Sequence, residues 1–116
     1  MKVVRIYTGP DKQSHFEEVD LPFATGEGSE ATPLRAARGV RFNRYQPGFR
    51  IDWHCAPQRQ YVVNLAGRAE IEIGDGTVLR LGPGDVLLAE DLTGQGHITR
   101  VVGDQTRVTM WVALAD

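Results

Sequence analysis

The chain has 116 residues, with 13 basic against 15 acidic side chains and a net charge of −2. That length suits one domain, which buries roughly two thirds of the surface of its unfolded chain. The balance leaves no cationic surplus for phosphates, and no long apolar run is present, so neither nucleic acid nor a membrane is an expected partner.

Residues 3–7 (VVRIY) are β-prone and stop at the turn Thr8-Gly9-Pro10-Asp11. Residues 14–23 set Phe16, Val19, Leu21 and Phe23 on a loose apolar pattern, which reads as an extended arm. Residues 24–39 are small and polar, with glycine or proline at 26, 28, 33 and 39. A loop with one short helical turn near 34–38 is expected there. From residue 40 the texture changes to alternation. VRFNRY sets Val40 and Phe42 against Arg41 and Asn43, and FRIDWH sets Phe49, Ile51 and Trp53 against Arg50, Asp52 and His54. QYVVNLAG reads as a buried strand ending at Gly67. RAEIEI places Ala69, Ile71 and Ile73 inward and Arg68, Glu70 and Glu72 toward water. Asp75-Gly76 predicts a hairpin. TVLRL, VLLA, HITRVV and TRVTMWVAL complete the run, separated by Gly82-Pro83-Gly84-Asp85, by EDLTGQG and by Gly103-Asp104.

Eight or nine short strands with turns at this spacing predict an all-β sandwich or barrel. The chain reads as a single domain over 1–116, with arm and loop to about 39 and the barrel over about 40–114. One cysteine, Cys55, excludes an internal disulfide and any multi-cysteine metal site. The N-terminus MKVVRIYTGPDK has no apolar core of a signal peptide, so a cytoplasmic protein is expected.

Residues 48–67, GFRIDWHCAPQRQYVVNLAG, resemble the first signature of the cupin superfamily, G-x5-H-x-H-x3-E-x6-G. Gly48, His54, Ala56, Gln60 and Gly67 fall on its spacing. LTGQGHITRV resembles the second signature, with Gly94 and His97 in place, Leu92 for its proline and Val101 for its asparagine. GPGD followed by an apolar strand also looks like a cupin. The resemblance covers about residues 40–114. It implies a double-stranded β-helix, a jelly-roll barrel whose lumen holds the functional groups.

In the superfamily, two histidines and a glutamate of the first signature and a histidine of the second converge on a divalent metal. Here His54 and His97 keep their positions, while Ala56 and Gln60 stand where the second histidine and the glutamate would be. Alanine offers no donor, and glutamine offers only a neutral oxygen. The expectation is a cavity without the standard metal centre. His54, Gln60 and His97 form the incomplete set that Fe, Mn, Ni or Zn would have to use.

The same resemblance turns His54 and His97 into the barrel, as an acid/base pair or as ligand contacts. Gln60 would face a polar ligand, with Asn64 on the same strand face. Arg50 and Asp52 share the parity of His54, although the strand's twist would equally leave both at the barrel mouth. An arginine reaching the lumen, whether Arg50, Arg44 or Arg59, would predict an anionic ligand such as a carboxylate. Asp91 and Thr93, in the glycine-rich run before His97, are candidate ligand contacts at the mouth. Alternation turns Cys55 away from the lumen, and His15 reads as a surface residue. Two functions follow from these residues. One is an enzyme acting on a small polar or carboxylate metabolite. The other is a non-catalytic binding module with a relic site. Phe42, Phe49, Trp53 and Trp111 would form an apolar patch if turned outward, and a homodimer is expected.

Overall fold

The structure, a computed structural model, describes residues 1–116. It has twelve strands: β1 (Lys2–Thr8), β2 (Ser14–Asp20), β3 (Ala24–Thr25), β4 (Glu30–Ala31), β5 (Ala37–Tyr45), β6 (Arg50–His54), β7 (Gln60–Ala66), β8 (Arg68–Glu72), β9 (Val78–Leu81), β10 (Val86–Glu90), β11 (His97–Val102) and β12 (Arg107–Leu114). There is no helix, and none is therefore long and apolar enough to cross a membrane. The helical turn expected at 34–38 is absent. Those residues are irregular until β5 begins at Ala37. Pro33 just before the segment and Gly39 just after it leave too short a run to nucleate a helix.

The strands form a six-stranded sheet in the order β2-β1-β10-β7-β12-β5 and a four-stranded sheet in the order β6-β11-β8-β9. β3 and β4 make a separate small pair. Asp75-Gly76 closes the β8–β9 hairpin, with Ala69 opposite Leu81 and the Asp75 carboxylate accepting from the Thr77 amide at 2.9 Å. The alternation of RAEIEI holds, since Ala69, Ile71 and Ile73 are buried between the sheets.

The N-terminal segment is extended, as expected, and is built into the sheet. β1 pairs in parallel with β10 (Val4 with Leu87, Ile6 with Ala89) and antiparallel with β2. Ile6 has no solvent exposure and joins Val62, Ile71, Leu87 and Ala89 in one core cluster. Each of the four larger side chains contributes about 1.5–3 kcal/mol by leaving water.

One irregularity sets the site. Between β6 and β11, His54 pairs with His97 and Ile51 pairs with Thr99. Two steps along β11 thus match three along β6. The extra residue is a β-bulge, which changes the facing of every residue beyond it.

Candidate functional site

The sheets enclose a cavity of 390 Å³, walled by Ile51, Val62, Ile71, Leu87, Ala89 and Trp111 among others. His54, Gln60, His97 and Arg107 also line it.

His54 closes β6 and His97 opens β11, and their ring centroids are 4.4 Å apart. Gly96 makes this approach possible. Its φ is +76°, and a side chain there would run into the His54 carbonyl. The glycine-rich run thus packs against backbone, with Gly96 on the His54 carbonyl and Gly94 on the Lys12 carbonyl. Gln95 donates its amide to the Lys12 carbonyl at 3.1 Å, tying the run to the β1–β2 turn.

His54 Nδ1 lies 2.7 Å from the Asp52 carbonyl. A carbonyl only accepts, so Nδ1 carries the proton and Nε2 keeps a free lone pair. Burial pulls His54 below its ordinary value of 6.5. The Asp52 bond opposes that shift, and the neighbouring His97 adds to it. His97 Nδ1 is 2.6 Å from Asp91 Oδ2, to which Ser14 Oγ also donates at 2.7 Å. Asp91 is fully buried, and its Oδ1 has no partner. The carboxylate fixes the His97 tautomer and leaves Nε2 without a protein partner.

Gln60 is buried in the wall and accepts a hydrogen bond from Gln58 Nε2 at 3.2 Å, which leaves its own Nε2 free to donate. Asn64 lies on the same strand face but does not line the cavity. It is fully buried, donates to the Gly67 carbonyl at 2.8 Å and accepts from Arg107 Nε at 2.7 Å. Asp91 stands behind His97 rather than at the mouth. Thr93 is exposed outside the cavity, its carbonyl accepting from Thr8 Oγ1 at 3.0 Å. Arg50 is not a cavity residue either. The β6 bulge turns it outward with Asp52, and the two make an exposed ion pair at 3.4 Å. Arg59 binds Glu90 at 2.6 Å, and Arg44 is exposed.

Cys55 lines the cavity instead of pointing away from it, because β6 ends at His54 and strand alternation no longer applies to the residue after it. Its thiol donates to the Gly94 carbonyl at 3.3 Å. Burial, and then the Asp91 charge, push its pKa up, so it is not a poised thiolate. The sequence reading missed three residues: Ser14, Trp111 as a lining residue, and Arg107. Arg107 and Trp111 share the parity of Thr109 and Ala113 along β12, an alternation that would have turned all four inward.

The cupin resemblance implies a metal, and the donors here do not fit one. Ala56 has no donor atom, and the Gln60 oxygen already accepts from Gln58. Both Nδ1 atoms are committed, so only two imidazole Nε2 atoms remain. No three His, Cys, Asp or Glu side chains cluster closely enough to hold an ion.

No family model and no curated protein matches the chain. Solved structures do. It is similar to a conserved protein of unknown function from Streptococcus pyogenes, at 20% identity over 73% of this chain and 71% of that one, with a TM-score of 0.51. It is also similar to an uncharacterized conserved protein with a double-stranded β-helix domain from Klebsiella pneumoniae, at 27% identity over 71% of this chain and 76% of that one, with a TM-score of 0.52. The all-β architecture, the two facing sheets and this likeness agree with the two signatures, and the chain has the double-stranded β-helix fold that the cupin resemblance implies.

Proposed function

We propose that the protein binds a small organic molecule in this cavity and moves a proton on it through His97 and His54. The observation that carries this reading is the buried Asp91–His97 pair, 2.6 Å apart, with His54 beside it on the cavity wall. A carboxylate behind an imidazole sets its tautomer and supplies the compensating charge when Nε2 takes a proton. His54 is neutral near pH 7 and offers a second Nε2 on the same wall. Two such groups suit isomerisation. One imidazole removes a proton from carbon, and a proton returns to a neighbouring carbon on the same face, with no net change in charge. Gln60 Nε2 would donate to the oxygen on which the electron pair rests.

A second reading is a binding module without turnover. It is favoured by the walls, where aliphatic and aromatic side chains supply grip and no chemistry. The reading also includes a homodimer, supported by exposed Val40 and Phe42 on the free edge strand β5.

The test is a thermal-shift screen of small polar and carboxylate metabolites, followed by proton NMR of each hit in D2O. Solvent deuterium is expected at a carbon-bound position of a hit, about 100-fold or more slower with His97→Gln or Asp91→Asn. Hits bound without exchange support the second reading. Hits that bind unchanged to both His54→Ala and His97→Ala overturn the use of this cavity.

A further inference from the structure

We propose that the cavity takes a monocarboxylate with an apolar body, and that Arg107 is the anchor for its carboxylate. The proposal rests on the cavity being a small-molecule site and adds the charge and polarity of what enters it.

Arg107 lines the cavity and is only 4% exposed. Six other arginines, at positions 5, 35, 50, 59, 80 and 100, each meet a carboxylate near the surface. Arg107, the buried one, meets none. Its Nε donates to Asn64 Oδ1 at 2.7 Å, and its guanidinium carbon stands 5.6 Å from the Tyr45 ring centroid. Asn64 is itself fully buried and held by the Gly67 carbonyl. Thus one edge and one face of the guanidinium are clamped, and its two terminal nitrogens are left without a protein acceptor.

A buried cation without a counter-ion is costly unless an anion arrives. Desolvation accordingly pulls the Arg107 pKa below its ordinary value, with the Tyr45 interaction opposing it. The open fork of two N–H groups matches the two oxygens of a carboxylate. One guanidinium balances one negative charge, which favours a carboxylate over a phosphate dianion. No aspartate or glutamate lines the cavity to repel it.

The strand register places the rest of the molecule. Tyr45 pairs with Arg107 at the start of β12, whereas Gln60 pairs with Ala113 near its end. Six residues of strand separate those levels, roughly 20 Å. Val62 and Trp111 face each other between them. A carboxylate on Arg107 therefore lays an apolar body along Val62 and Trp111 and points its far end toward Gln60.

The test is calorimetric titration of the full chain with hexanoate and with its neutral match, hexanamide. Wild type is expected to bind hexanoate about tenfold or more tightly than hexanamide. The preference should vanish in Arg107→Gln and persist in weakened form in Arg107→Lys. A readout that needs no variant is the side-chain 15N–H spectrum of the wild type, where hexanoate but not hexanamide should shift the Arg107 signals. Equal affinity for the two probes, or a preference that survives Arg107→Gln, overturns the anchor and leaves the cavity a small-molecule site. Binding of neither probe overturns the anchor and the small-molecule cavity together.

Discussion

His54 and His97 meet because their strands do, each ending or beginning at the same level of the four-stranded sheet. His54 was legible from its spacing to Gly48 and Gly67, and His97 from its place after Gly94. What holds them was not legible. Asp91 lies six residues before His97 and reads as a ligand contact at the mouth, whereas the fold buries it behind His97. Ser14 is distant in sequence and comes to Asp91 because β2 pairs with β1, which pairs with β10 just before Asp91. The charge state of His54 follows from the same burial. Its proton affinity is lowered, so the unfolded chain takes up the proton first as the pH falls. Its contribution to stability is therefore complete above its ordinary value of 6.5 and is lost as the pH drops toward the folded value. NMR titration should place the His54 midpoint below 6.5, and denaturation should show less acid sensitivity in His54→Gln than in wild type. A midpoint at or above the ordinary value would contradict the desolvated environment.

At the scale of elements, alternation was a good guide within each strand and failed where a strand bends. β7, β8 and β12 keep the inward sets expected from a period of two. β6 carries a bulge, so the parity of His54 does not carry to Arg50, which faces water as the twisted-strand alternative expects; Cys55 lies past the end of β6, where alternation no longer applies, and lines the cavity. One extra residue inverts facing, and nothing in FRIDWH marks where it falls. β1 shows the opposite limit. Its sequence looks like any short strand, yet its parallel pairing with β10 makes Ile6 part of the core. Ile6→Ala should cost about 2–5 kcal/mol in urea denaturation. A loss under about 1 kcal/mol would mean that β1 is a detachable arm.

At the scale of the molecule, β5 is the free edge of the six-stranded sheet. It exposes Val40 at 59% and Phe42 at 65%, facing Val112 and Met110 across the ladder. A strand edge with apolar side chains in water invites pairing with another chain. Light scattering of the purified protein should give twice the 12.8 kDa chain mass, and Phe42→Glu should shift it toward the single chain. A 12.8 kDa species at micromolar concentration would overturn the dimer.

The sequence by itself determined the all-β class, the positions of most strands, the barrel type through its two signatures, and three of the groups on the cavity wall: His54, Gln60 and His97. These depend on periodicity and spacing, which are local and can be counted along the chain. Only the tertiary structure decided that Asp91 backs His97, that Ser14 supports Asp91, that Arg50 faces water and that Arg107 is the cation in the cavity. Each of those depends on a bulge, a sheet order or a burial that brings distant residues together. Burial then sets which charges are paired and which are left for a ligand.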